Sequence, residues 1–256
     1  MVYIVGAGPG AEDLITLRGA RLLERADVII YAGSLVNPAL LKMAKKNCQI
    51  YDSASMTLEE VIETVRHAED QGLMTVRLHT GDPCVYGAIR EQMDELDRLQ
   101  IPYEICPGVS SFCGAAAALK MEYTLPEISQ SVIITRMAGR TGVPERESIR
   151  SFAAHQATMT IFLSAGMLEQ LSAELVAGGY KPDTPAAIVY KATWPDEKVI
   201  LCTVGTLARE AEKEGINRMA LIVVGQAVAQ KDYERSCLYH PEFTTGYRTG
   251  KKEDVI

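Results

Sequence analysis

Three short segments carry residue types suited to holding a small ligand. Residues 6–11 read GAGPGA after an apolar run and before a helical pattern, which fits the G-x-G-x-x-A spacing of a dinucleotide turn. Such a site also wants an acidic residue at the end of the second strand, for a ribose. Here DVIIYA ends in Ala32, and its one carboxylate, Asp27, stands at the start. Pro9 removes an amide N–H from the turn, and the same glycines would serve a tight strand-to-helix connection that needs positive φ. Residues 79–87, HTGDPCVYG, follow a second strand-like run, where open α/β sheets bind ligands. Gly81 would admit a ligand close to the backbone. Asp82, extended before Pro83, could accept from a hydroxyl or an amine, or cap the next helix. Residues 106–118 repeat the design: Pro107 and Gly108 set a turn, and Ser110 and Ser111 open a helix of small residues. Three such turns at strand ends of one sheet favour a shared ligand.

A fourth cluster is basic. Arg136, Arg140, Arg146 and Arg150 lie within 15 residues of an otherwise acidic chain, whose 26 Lys and Arg face 33 Asp and Glu for a net charge of −7. Guanidinium forks suit bidentate recognition of carboxylates; the alternative is a solvated face paired to Glu145 and Glu147. The acidic balance disfavours nucleic acid and anionic membrane surfaces. Six cysteines (Cys48, Cys84, Cys106, Cys113, Cys202, Cys237) form no CxxC pair, and His67, His79, His155 and His240 are scattered, so no protein-bound metal is expected. Cysteines in apolar or strand-like runs, with no leader in front, are expected as reduced thiols in the cytoplasm. No apolar run approaches the roughly 18 residues of a membrane span. Ser-His-Asp order, H-E-x-x-H and a Walker lysine loop are all missing from the sequence.

These segments must be positioned by regular elements, and 256 residues with 47% hydrophobic and 23% charged content suffice for one large or two modest globular domains. The first half alternates strands (VYIVG, DVIIYA, QIY, MTVRLH, PYEIC) with helical patterns at residues 14–26, after Pro38, at 57–72, through YGAIREQMDELDRLQ and through SSFCGAAAALK. Thr57 and Glu60 have capping-box spacing. That alternation predicts an α/β domain over 1–120 with a mostly parallel five-stranded sheet covered on both faces. Residues 121–130 are polar and contain proline, and are expected as a linker. SVIITRM, TMTIFLS, AAIVYKA, KVILCTV and MALIVVG then predict a second α/β domain over 131–230. Its third and fourth strands are separated only by TWPDE, too short for a parallel crossover, so this sheet should be mixed. Residues 231–256 are expected as a surface tail.

Taken in order, VGAGPGAEDLITLRG, YAGSLVNP, TGDPCVYG and PGVSS resemble the tetrapyrrole methyltransferases of cobalamin and sirohaem biosynthesis, from residue 1 to about 230. The resemblance implies the tetrapyrrole methylase fold, a homodimer, and S-adenosylmethionine held between two domains. YAGSLVNP, HTGDPCVYGAIREQ and TRMAGRT further imply methylation of ring carbon 11 of precorrin-4 or cobalt-precorrin-4. Ala32 stands where the uroporphyrinogen-III members carry an aspartate, which counts against that substrate. Sibling C17 or C20 specificities, or more distantly a diphthine synthase-like reaction on a macromolecule, are the alternatives. By resemblance, Pro9, Thr80, Gly81, Asp82, Val85, Tyr86, Ser110, Ser111, Ala165 and Ala192 contact the cofactor. Arg136, Arg140 and Lys191 acquire a reason in the many carboxylates of the substrate. No general base is identified, in keeping with a sulfonium methyl that is already activated and needs positioning above all.

Overall fold

Short runs of branched and aromatic residues, each ended by a turn former, build the strands of the computed structural model, which describes residues 1–251. In a first compact unit, Met1–Ala118 with Tyr190–Lys198, the strands are β1 (Val2–Gly6), β2 (Val28–Tyr31), β3 (Gln49–Asp52), β4 (Thr75–His79) and β5 (Tyr103–Cys106). They pair in the order β3-β2-β4-β1-β5, each neighbour parallel to the next. Alternation sends Val5, Ile29, Val76 and Leu78 to one face, against Leu22 and Leu23 of helix α1 (Leu17–Arg25). Val2, Val28 and Ile30 meet Val61, Ile62 and Val65 of α2 (Leu58–Asp70) and Leu96 of α3 (Arg90–Arg98) on the other. The parallel sheet expected from the sequence is therefore covered on both faces.

Helix starts follow local chemistry. The Thr57 hydroxyl accepts from Glu60 N at 3.3 Å while the Glu60 carboxylate accepts from Thr57 N at 2.7 Å, completing the predicted capping box. Two helices begin later than the sequence pattern suggests. Residues 12–14 form a separate 3-10 turn, and α1 starts only after Thr16, whose hydroxyl accepts from Gly19 N. Before α3, Tyr86 (φ 56°) and Ala88 (φ 48°) hold left-handed backbone that no α-helix accommodates. The segment after Pro38 is a 3-10 helix, Pro38–Met43, capped by Asn37.

The second unit comprises Leu119–Val189 and the residues from Val199 on. Its strands β6 (Val132–Arg136), β7 (Thr158–Phe162), β8 (Pro185–Tyr190), β9 (Lys198–Thr203) and β10 (Ala220–Val224) pair in the order β6-β7-β10-β8-β9. β6 is parallel to β7 and β10 antiparallel to it, so the sheet is mixed. Met159, Ile161, Ile188 and Ile222 are buried with Leu171 and Leu175 of α6 (Leu168–Ala177) and Leu207 of α7 (Leu207–Lys213), α4 and α5 being Ser111–Leu119 and Ile149–Ala153.

Three segments differ in character from a plain linker, turn and tail. Residues 121–130 belong to the second unit, where Ser129 Oγ accepts from Thr158 N and the Thr158 hydroxyl donates to Tyr123 O. Tyr190–Lys198, inside the stretch expected as the second domain, groups with the first unit. In the tail, one Arg248 nitrogen donates to the carbonyls of Leu238, His240 and Phe243. Residues 252–256 lie outside the described residues. Among the described residues no helix is long and apolar enough to cross a membrane.

Candidate functional site

The loops that leave β1, β4 and β5 converge within the first unit. A Cβ built on Gly6 would stand 2.6 Å from both Gly108 Cα and Gly81 O, and one on Gly108 would stand 2.2 Å from Gly81 O. No side chain fits there, so three backbones touch directly. Gly8 (φ 81°) and Gly81 (φ 58°) use left-handed conformations open to glycine. They exchange two hydrogen bonds, Gly8 N to Gly81 O at 3.2 Å and Gly81 N to Gly8 O at 2.9 Å.

Between these glycines and α1, residues 7–11 form a coil in which the amides of Ala7, Gly8 and Ala11 are engaged. Ala7 N donates to His79 O, Gly8 N to Gly81 O and Ala11 N to the Thr193 hydroxyl. Pro9 has no N–H. A pyrophosphate grip needs open amides at a helix N-terminus directly after the glycines, whereas α1 begins at Leu17 with its own cap. GAGPGA is thus a turn built for close backbone approach, and the dinucleotide reading of this turn loses its cradle.

Asp82 does not cap a helix, since α3 starts eight residues later. One carboxylate oxygen accepts from Cys84 N and the other from Gly108 N, each at 2.8 Å, which ties the β4 loop to the β5 loop. Burial raises its pKa, but the hydrogen bonds from Cys84 and Gly108 outweigh it and hold the carboxyl below its ordinary 3.8. Just before this turn two basic side chains are buried on the α2–α3 face of β4. Arg77 donates to Gln92 Oε1 at 3.0 Å and Ile30 O at 3.1 Å, and burial lowers its pKa to about 10, so it stays charged. Burial, and then the Arg77 charge, push His79 down to about 3, so its imidazole is neutral; its Nε2 has no protein partner among the described residues.

The other positions expected from the sequence are distributed between the two units. Thr80 precedes Gly81, Val85 N donates to Asp82 O, and the Tyr86 ring is exposed. Ser110 is buried and its carbonyl accepts from Cys113 N and Gly114 N at the start of α4. A Cβ on Gly81 would be 3.5 Å from Ser110 Cα and Ser111 N, and one on Gly10 would be 2.9 Å from Ala192 O. Pro9, Gly81, Asp82, Ser110, Ser111 and Ala192 are therefore gathered at the same strand ends. Ala165 belongs to the second unit and is buried.

The arginines separate into distinct roles. Arg136 donates to the carbonyls of Met137, Thr141 and Gly142, clasping its own loop. Arg146 pairs with Glu147, but Arg150 pairs with Glu174 of α6 and not with Glu145. Arg140 is exposed at the loop's crest, without a polar partner among the described residues. Lys191 bonds Asp196 at 2.6 Å, which raises its pKa. Sequence reasoning missed Asn37, whose amide donates to Gly10 O, and Thr193 and Trp194, which read only as turn residues. The chain's one tryptophan beside a proline was the available signal for the last pair.

Gly108→Ala should destabilise the fold by about 1–3 kcal/mol, the cost of overpacking against backbone that cannot swing away. Gly142, where an added Cβ would meet nothing within 4 Å, serves as the control, and its alanine variant should unfold in urea within about 0.5 kcal/mol of the parent. Asp82→Ala should cost about 1–2 kcal/mol at pH 7, toward the low end for bonds to a charged but partly exposed group. A depressed carboxylate pKa contributes stability above the unfolded value of 3.8 and loses it as pH falls through the native value. Urea unfolding at pH 7 and pH 3 should therefore show the gap between parent and Asp82→Ala narrowing in acid.

The family described as tetrapyrrole (corrin/porphyrin) methylases matches residues 1–208. The cobalt-precorrin-4 C(11)-methyltransferase of Methanocaldococcus jannaschii is 53% identical over 252 residues, 98% of this chain and 97% of that protein. The X-ray structure of a cobalt precorrin-4 methyltransferase of cobalamin biosynthesis superposes with a TM-score of 0.87 at 45% identity, covering 89% of this chain and 95% of that one. A uroporphyrin-III C-methyl transferase from Thermus thermophilus, solved with S-adenyl homocysteine, gives 0.75 at 28% identity over 92% and 96%. With its parallel first sheet, glycine-lined strand ends and a match over most of its length, the chain belongs to the tetrapyrrole methylases.

Proposed function

We propose that the protein transfers a methyl group from S-adenosylmethionine to ring carbon 11 of precorrin-4 or cobalt-precorrin-4. The observation that carries this reading is the 53% identity to a C(11)-methyltransferase over 98% of the chain. S-adenosylmethionine supplies a methyl already activated by its sulfonium, so the chain's own task is to bind, orient and exclude water.

The residues fit that donor. It has no phosphate, and the 7–11 coil offers neither open amides at Ala7, Gly8 and Ala11 nor a basic side chain. It needs loops held in place, and Gly6, Gly10 and Gly108 admit no Cβ because neighbouring backbone or the Trp194 ring already fills that space, whereas a Cβ on Gly81 would meet nothing nearer than 3.5 Å. Pro9, Gly81, Asp82, Ser110, Ser111 and Ala192 would hold it. Asp82 acts by locking two loops together through Cys84 N and Gly108 N. On the substrate side, Arg140 has its guanidinium available for a carboxylate, while Arg136 holds the loop that carries it. A homodimer in the cytoplasm completes the proposal; free thiols at all six cysteines suit a reducing compartment.

The test is incubation with labelled S-adenosylmethionine and a panel of precorrins, with and without cobalt, and location of the methyl by mass spectrometry and NMR. Label at C11 is expected, together with calorimetric binding of S-adenosylhomocysteine and none of NAD; label at C17 or C20 would reassign the specificity. Arg140→Met should raise KM for the tetrapyrrole and leave kcat nearly unchanged, as for lost uniform binding. At a pocket shielded from water the rise corresponds to about 1.5–3 kcal/mol, and at an exposed contact to under about 1 kcal/mol.

A further inference from the structure

Residues 191–197, between β8 and β9, are bound to the glycine coil of the first unit more closely than a simple turn requires. Their backbone is strained, with Lys191 at φ 46° and Thr193 at φ 68°. A left-handed conformation is unusual for any residue with a Cβ and costly for a β-branched one. Such strain persists only where surrounding contacts over-determine it, and the contacts here lead to residues 9–11.

Each of those three residues is held. The Thr193 hydroxyl accepts from Ala11 N at 3.0 Å, and Trp194 Nε1 donates to Pro9 O at 3.2 Å. The Trp194 ring fills the space beside Gly10, where a Cβ would stand 2.1 Å from its Cδ1, and Asn37 donates to Gly10 O at 2.8 Å. Thr193 is fixed in turn. Its N–H donates to Glu197 Oε2 at 2.6 Å, and a Cβ on Gly114 of α4 would stand 3.1 Å from its Cγ2 and 3.0 Å from the Pro9 ring. One threonine thus joins the coil after β1, the start of α4 and the strap that carries Ala192.

The geometry points to Thr193 as a positioning residue for the methyl donor: its hydroxyl, assisted by the Trp194 indole, fixes residues 9–11 against Ala192 at the spacing the adenosyl ligand requires. The inference rests on the reading that S-adenosylmethionine binds at these strand ends, and it adds a residue that contacts the protein and not the reacting atoms. Ala11 N is satisfied by the Thr193 oxygen. Valine, of nearly the same shape, cannot replace that oxygen, whereas serine keeps it.

The experiment measures S-adenosylhomocysteine affinity of the full chain by calorimetry, with Trp194 emission as a second signal, since it is the only tryptophan. The parent should bind the ligand and change its emission on saturation. Thr193→Val should raise Kd about tenfold, the equivalent of 1.4 kcal/mol, and raise KM for S-adenosylmethionine by a similar factor with kcat much less affected. Thr193→Ser should restore both to within about threefold, and Thr193→Gly, which relieves the backbone strain but lacks the hydroxyl, should bind as poorly as Thr193→Val while melting no lower than it. If Thr193→Val binds as the parent does, or if every variant loses affinity only in proportion to its unfolded fraction, the positioning role is wrong and the cofactor reading stands. If the parent itself binds no S-adenosylhomocysteine, the cofactor reading fails and takes the positioning role with it.

Discussion

Backbone meets backbone where Gly6, Gly81 and Gly108 come together, and the other features of the strand ends depend on that contact. Parallel strands are joined by long crossovers, so the loops that leave β1, β4 and β5 would otherwise be independent. Removing every Cβ at the junction lets them support one another. Beyond the parallel β1–β4 ladder, Gly8 and Gly81 form a separate antiparallel bridge, and the Asp82 carboxylate bridges to Gly108 N. A surface assembled in this way is ordered by folding, so a ligand does not have to order it on arrival.

The same junction determines where charge can sit. Arg77 stays protonated under the sheet because Ile30 O and Gln92 solvate it, and its charge helps to keep His79 neutral. At the strand ends the hydrogen bonds join main-chain groups to one another and to the side chains of Asn37, Thr193 and Trp194, and each Asp82 oxygen accepts one main-chain N–H. Such a floor is poorly suited to gripping phosphate or to shuttling protons. It is well suited to holding a donor whose leaving group is already activated, where rate depends on alignment.

The architecture was legible wherever one local rule decided the outcome. Hydrophobic runs marked ten strands, the Thr57–Glu60 spacing marked a capping box, and the short TWPDE connection pointed to the mixed second sheet. The junction of strand ends was legible as three glycine turns, but the partners of those turns were not. Asp82 could be read as a ligand contact or a helix cap, because one of the two amides it binds belongs to Gly108, 26 residues away. Thr193 and Trp194 looked like a turn, because their partners Ala11 and Pro9 lie more than 180 residues away. The start of α3 is displaced by Tyr86 and Ala88, since periodicity does not report a left-handed φ imposed by neighbouring turns.

The arginine cluster shows why composition alone could not assign roles. Arg136 and Arg140 are the same residue four apart, yet one has its guanidinium on three carbonyls and the other meets no polar group among the described residues. A guanidinium that satisfies loop carbonyls replaces the regular backbone pairing which that loop lacks, so Arg136 maintains a shape. Arg140 sits inside the span that Arg136 closes, between Met137 and Gly142. Its reach toward any anion is therefore conditional on the clasp, and the two positions form one unit. Removing the clasp releases the crest, so effects measured at Arg136 and Arg140 should not add, the behaviour expected of residues coupled through a shared backbone segment.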